Sequence, residues 1–155
     1  MKLVSVYDVK EGASVLYELL QERRPETFVS HETMPTREEH DEFVASIPFR
    51  CWYLIRIRTV DAETMLVGGY AYIGAIEVTD LNEIGIAIFK RFQGHGHGRK
   101  ALELFMSTHR PLPAIKAKRN ARWLANVATE NHGSKLFFRR MNFRPIQEVW
   151  AYGDQ

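Results

Sequence analysis

Residues 82–106 read NEIGIAIFKRFQGHGHGRKALELFM, and the order of residue types along this stretch decides how the chain is read. It opens with alternation: Ile84, Ile86 and Ile88 fall on one face of a strand, and Glu83, Gly85 and Ala87 on the other. Gln93-Gly94-His95-Gly96-His97-Gly98 follows, three glycines separated only by imidazoles. Beyond Gly98, Ala101, Leu102, Phe105 and Met106 share one helical face. The order is therefore strand, glycine-rich turn, helix. Glycines permit tight or positive-φ turns and close backbone approach to a ligand. A helix N-terminus aimed at the same point adds unpaired N–H donors and a positive dipole end. The stretch reads as a phosphate cradle. It lacks the spacing of the dinucleotide fingerprint G-x-G-x-x-G and of the P-loop G-x-x-x-x-G-K-[ST].

The surrounding composition is that of an ordinary globular domain. At 155 residues, a single domain over 1–155 is expected, large enough for a core without staples. Apolar content of 45% and charged content of 26% favour neither disorder nor membrane residence. No apolar run approaches membrane-spanning length, and Met1-Lys2-Leu3 leads into a strand pattern, not a signal peptide. The lone cysteine, Cys51, excludes an internal disulfide and suits a reducing compartment, the cytoplasm. A net charge of +2 implies no particular partner.

Taken in order, Leu3 to Tyr7 suggests an opening strand. Asp8-x-x-Glu11 has capping-box character before a helix that turns Val15, Leu16, Leu19 and Leu20 inward and stops by Pro25. Thr36-x-x-Glu39 signals a second helix with Phe43, Val44 and Ile47 inward, closed by Pro48. Phe49 to Thr59 and Met65 to Val78 read as strands joined by a turn at Asp61-Ala62-Glu63, with Gly68-Gly69 marking a bulge or close approach. Asp80-Leu81-Asn82 turns into the central strand. Arg122 to Ala128 reads as another strand, residues around Ser134 to Met141 as a helix, and Pro145 to Tyr152 as a last strand.

Two motifs carry a family resemblance. Gln93, Gly96 and Gly98 match Q/R-x-x-G-x-G/A, and Asn131, Ser134, Phe138 and Phe143 match N-x-x-[AS]-x-x-x-[YF]-x-x-x-G-F. Asn142 replaces the glycine, and Asn also tolerates the left-handed conformation of a helix C-cap. With the order β-α-α-β-β-β-α-β-α-β, the chain resembles the GNAT superfamily of acetyl-CoA-dependent N-acetyltransferases. The resemblance implies an α+β fold: a mixed, mostly antiparallel sheet flanked by helices, whose central strands splay apart to bind acyl-CoA. It implies pantetheine bonds to the backbone of Ile86, Ala87 and Ile88. The pyrophosphate would lie on Gln93, Gly94, His95, Gly96, His97, Gly98 and Arg99, with Asn131, Ser134 and Phe138 completing the cofactor side. No metal is implied: His95 and His97 have no third ligand nearby in sequence.

Acylating an amine needs a proton acceptor, an oxyanion donor and a departing thiolate. Ile88 N–H is the first choice of oxyanion donor, where the strands part. Glu83 is the candidate base, with Gly85 and Ala87 leaving room for substrate; a structural Glu paired with a basic neighbour is the alternative. Many relatives place a Tyr acid where this chain has Phe138, so thiolate departs unaided or toward Tyr70 or Tyr72. Asn131 reads equally as an N-cap, and His31 as an acceptor-site or solvated histidine. Arg110, Lys116, Lys118, Arg119 and Arg122 would suit the CoA 3′-phosphate or nucleic acid, though such runs are more often solvated loops. The acidic second helix would suit a cationic amine as acceptor, though exposed helices are often acidic for solubility alone. The acceptor's identity stays open among amino sugar, protein N-terminus, polyamine and nucleobase. A homodimer is compatible with the reading. So is a rival of another class, a non-catalytic CoA-binding or nucleic-acid-interacting module.

Overall fold

The computed structural model describes residues 1–24, 33–60, 67–113 and 121–149. Four antiparallel strands, β1 (Lys2–Ser5), β2 (Cys51–Val60), β3 (Val67–Val78) and β4 (Ile84–Ile88), form a sheet in that order. Helices α1 (Gly12–Gln21) and α2 (Arg37–Ala45) precede β2, and α3 (His97–Thr108) and α4 (His132–Arg140) follow β4. The class is α+β, as expected.

Period-two alternation sorts side chains between two cores. Ile55, Ile76, Val78 and Ile84 pack with Ala101, Leu102 and Phe105 of α3 and Phe138 of α4. Trp52, Leu54 and Ala75 pack on the other face with Leu16 and Leu19 of α1 and Val44 of α2. The split along β4 is the expected one: Ile86 and Ile88 abut the α3 core, while Ala87 abuts the α1 core. Register between β2 and β3 slips twice, skipping Ile73 and Gly68. The second slip lies beside Gly69, whose φ of 143° only glycine adopts readily, so the paired glycines do mark a bulge.

Several boundaries differ from expectation for local reasons. Val6–Asp8 leaves the strand as a 3₁₀ turn, and α1 starts at Gly12 without a side-chain cap, so Asp8 forms no capping box. Gly12 is required there, because a Cβ would lie 2.3 Å from the Val6 carbonyl oxygen. The α2 box does form: Thr36 Oγ1 accepts from Glu39 N–H at 3.2 Å, and Glu39 Oε2 accepts from Thr36 N–H at 2.7 Å. Its inward residues are His40 and Val44, whereas Phe43 and Ile47 are exposed. His40 Nε2 meets the Ala13 carbonyl at 3.1 Å, which ties α2 to α1, and burial holds this imidazole below its usual pKa. Asn142 adopts φ of 64° after α4, as its place in the motif predicts.

The stretch read as a strand over Arg122 to Ala128 makes one parallel bridge, Glu83 with Leu124, and no ladder. It keeps strand periodicity nonetheless: Trp123, Ala125 and Val127 all pack on the α3 core. Residues 145–149 form no strand, and the rest of that expected strand lies outside the described residues, as do Pro25, His31, the turn at 61–63 and Lys116, Lys118 and Arg119. Among the described residues no helix is long and apolar enough to cross a membrane.

Asn82, at φ of 63° and buried, holds the entrance to β4 in place. Its Oδ1 accepts from Leu112 N–H at 2.7 Å and Arg50 Nη1 at 3.1 Å, and its Nδ2 donates to the Leu112 carbonyl at 3.0 Å. Replacing Asn82 with Ala strands both Leu112 groups and puts a Cβ-bearing residue without a polar side chain in a left-handed turn. Urea unfolding should register a loss of about 2–4 kcal/mol. A loss below about 0.5 kcal/mol would show that water replaces the side chain without penalty.

Candidate functional site

β4 and the segment after Trp123 run together for one step and then separate. Ile84 N–H donates to the Leu124 carbonyl at 2.8 Å, and Leu124 N–H to the Asn82 carbonyl at 3.0 Å. Among the described residues no backbone bond joins them beyond Leu124. Backbone groups alternate sides along a strand, and Ile84 points at Leu124, so Ile86 and Ile88 also point into the gap. Gly85 and Ala87 point the other way, opposite Glu77 and Ala75 of β3. Ala87 therefore has no free amide to offer a ligand, which corrects its place among the expected pantetheine donors.

The gap opens into a cavity of about 1250 Å³. That exceeds the 300–1,000 Å³ usual for one small ligand. It passes from the α1 face, at Leu19, Phe49 and Glu77, to the α4 face, at Asn131, Ser134 and Phe137.

The glycine loop lies at the C-terminal end of β4. Gly94 and Gly96 take φ of 78° and 75°, and a Cβ on either would meet nothing within 4 Å. Gly96 is the N-cap of α3 with no side chain to cap it, and the first bond inside the helix is Lys100 N–H to the Gly96 carbonyl. The N–H groups of His97, Gly98 and Arg99 thus stand unpaired among the described residues, and His97, Gly98 and Arg99 all line the cavity. Gln93 lines the cavity as well. Its Nε2 donates to the Ile88 carbonyl at 2.8 Å, clamping the loop to the strand end and leaving the Ile88 N–H alone in the gap. His95 turns its Nδ1 to the Gln93 carbonyl at 2.7 Å and stacks on His97 at 6.0 Å, and its ring does not line the cavity. Arg99 is paired with Glu103 at 2.8 Å.

On the α4 side, Asn131 Oδ1 accepts from Ser134 N–H at 3.0 Å, so its capping role is real. Its Nδ2 has no partner among the described residues, and both Asn131 and Ser134 line the cavity. Phe138 is buried between Phe137 and Phe143 with ring centroids 5.2 and 5.1 Å away. It is a core residue whose edge reaches the cavity. No carboxylate of α2 lines the cavity; Asp41 pairs with Arg37 at 2.8 Å instead. Burial raises the Cys51 thiol pKa, consistent with an unreactive strand residue. Among the described residues no group of three His, Cys, Asp or Glu side chains could hold a metal ion.

The expected base, Glu83, sits at the mouth of β4 and takes a bond from Thr79 Oγ1 at 3.2 Å. The space expected above Gly85 is occupied by Glu77, because a Cβ on Gly85 would lie 1.9 Å from Glu77 Oε1. Glu77 belongs to no motif, though it is the lone charged residue of Val67–Val78. Burial pushes its carboxyl up to about 7, against the pull of Arg23.

The sequence matches no family model and no curated protein. Its fold does have solved counterparts. A domain from Methanocaldococcus jannaschii superposes with a TM-score of 0.70 at 19% identity, over 96% of this chain and 90% of that one. An acetyltransferase from Thermus thermophilus superposes with a TM-score of 0.62 at 21% identity, over 95% and 88%. The chain shares the α+β fold of that acetyltransferase. At such identities the likeness is one of architecture.

The Glu77 carboxyl makes stability depend on pH. The folded state holds its proton up to about 7, the unfolded chain only to 4.5, so stability is full below the lower value and declines as pH rises through the upper one. Glu77→Gln should therefore raise Tm relative to the parent near pH 8 by more than near pH 4.5, the ordinary value for the group. An equal Tm difference at both ends would mean that the carboxyl ionises as it does in water.

Proposed function

We propose that this protein transfers an acetyl or related acyl group from acyl-CoA to a primary amine, by direct attack in a ternary complex. One observation carries the reading: β4 presents the Ile86 and Ile88 amides, unpaired among the described residues, in a cavity closed at one end by the bare N-terminus of α3. A strand edge left open beside a helix N-terminus suits a ligand with amides at one end and phosphates at the other.

The residues present fit that ligand. The open left-handed turns at Gly94 and Gly96 and the N–H groups of His97, Gly98 and Arg99 would hold a pyrophosphate. Ile86 and Asn131 would hold pantetheine amides. Bound there, acyl-CoA supplies an electrophilic acyl carbon and a thiolate leaving group. Ile88 N–H then supports the developing oxyanion, while Gln93 fixes that strand end by holding the Ile88 carbonyl. Phe138 has no proton to give, and a thiol with a pKa of roughly 8.5 leaves without one being placed for it. The lone Cys51 supports a reducing compartment, the cytoplasm.

Acetyl-CoA at about a hundred times its Kd should add about 2.7 kcal/mol to stability, or roughly 5–10 °C in Tm for a domain of this size. Gly96→Val should remove the shift: its branched Cβ would fill the space open above the loop, at a folding cost of about 1–2 kcal/mol for the left-handed conformation. A full shift in the folded variant would remove the loop from the reading. Release of free thiol with a panel of amines tests turnover itself, and binding without release would leave a CoA-binding module.

A further inference from the structure

Two carboxylates, Glu77 and Glu83, reach the α1 face of the gap, and the acyl-transfer reading needs one proton acceptor there. Glu83 is held at the turn by Thr79, whose Oγ1 also accepts from the Glu83 N–H at 3.2 Å, and Glu83 and Thr79 further pair through their backbones at 3.0 Å. Those contacts bind it to the start of β4. Glu77 is placed differently. It lies across from Gly85 in the ladder, and its carboxylate fills the position that a side chain at 85 would take. Among the described residues, no other residue donates a hydrogen bond to that carboxylate.

Distance also separates the two. Ile88, the oxyanion donor, lies three residues beyond Gly85 and five beyond Glu83. At about 3.4 Å per residue, Glu77 leaves roughly 7 Å less to bridge than Glu83 does, a span the amine and a water can close. The face matters as well. Gly85 and Ala87 are the small residues of β4 on the α1 side, whereas the cradle and Asn131 belong to the α3 and α4 side.

From this placement we infer that Glu77 of β3, not Glu83, takes the proton from the acceptor amine, which enters from the α1 face opposite the acyl donor. The inference rests on the acyl-transfer reading. One proton of R–NH₃⁺ passes to the Glu77 carboxylate, directly or through water. The freed lone pair forms the C–N bond as the C–S bond breaks, and the second N–H proton goes to the departing thiolate. Glu77 then returns its proton to solvent, so the balance is amide, free thiol and one H⁺. A carboxyl that titrates near neutrality is matched to this work, since it accepts a proton more readily than an ordinary carboxylate and is still ionised above pH 7. The other charged groups on this side are Arg23, which opposes the upward shift, Arg24, Glu83, Lys90, and Glu22, whose Oε2 accepts from the Lys90 N–H at 2.6 Å. The Gly85 position serves the same end: it is empty so that Glu77 can lie along the strand.

The test compares the parent, Glu77→Gln and Glu83→Gln, with acetyl-CoA and four probe acceptors: an alkylamine, a hexosamine, a polyamine and a tripeptide with a free N-terminus. Thiol release should fall about a hundredfold in kcat/KM for Glu77→Gln and less than about tenfold for Glu83→Gln. The acetyl-CoA Tm shift should survive in both. The parent profile of kcat/KM should rise through a limb near pH 7 that Glu77→Gln lacks. A readout independent of turnover is the carbon-13 titration of the Glu77 carboxyl, assigned by its loss in Glu77→Gln and expected near neutrality. Retention of rate and limb in Glu77→Gln, or their loss in Glu83→Gln alone, overturns the assignment and leaves the transferase reading standing. A parent that binds acetyl-CoA yet releases thiol with none of the four overturns both.

Discussion

The parallel bridge between Glu83 and Leu124 is the contact on which the site depends. Two backbone hydrogen bonds, of 2.8 and 3.0 Å, join β4 to its neighbour at one end only. Had the pairing continued, Ile86 and Ile88 would have spent their amides on Asn126 and Ala128, and no gap would exist. Had it been absent, no backbone bond would tie β4 to the far wall among the described residues. Asn82 secures this point by reaching both the Leu112 backbone and Arg50, whose guanidinium lies 5.5 Å from the Trp123 ring centroid. Leu124 itself is buried, and Trp123, Ala125 and Val127 anchor the diverging segment on the α3 core. The segment is held by packing, so it can forgo the ladder.

At the other end of β4 the constraint comes from side chains returned to the backbone. Gln93 closes on the Ile88 carbonyl and Glu22 on the Lys90 N–H, so the strand end and the following turn are fixed from two sides. At the loop end of the gap the backbone groups left unpaired among the described residues are thereby N–H donors, that of Ile88 and those at the start of α3. Donors without acceptors favour carbonyl and phosphate oxygens. This polarity follows from the placement of Gln93 and the αL turn at Gly96, and it needs no charged side chain.

The sequence by itself determined the parts that local chemistry controls. Alternation assigned the faces of β4, because side chains of a strand must take opposite sides. Gly94 and Gly96 announced left-handed turns, Thr36 with Glu39 announced a helix start, and Asn142 announced a helix end, since each of those conformations selects its residue through its own backbone. Asn131 read correctly as a cap for the same reason. Asp8 failed the same test only because Val6 to Asp8 tightened into a 3₁₀ turn that packs Gly12 against a carbonyl.

Only the tertiary structure decided what lies across a gap. Residues 122–128 have the pattern of a strand, and nothing local says that their pairing stops after Leu124, because hydrogen bonding between distant segments depends on how each is packed. The same holds for Gln93, whose motif position suggests a ligand contact and whose side chain instead serves Ile88. It holds most for the two carboxylates. Glu83 stands in the motif-bearing stretch and attracts attention there, while Glu77 is one polar residue in an apolar run. The ladder sets Glu77 over Gly85, burial raises its carboxyl toward neutrality, and Thr79 claims Glu83. Desolvation and cross-strand register are properties of neighbours far away in the chain, so they could be read only after the chain had folded.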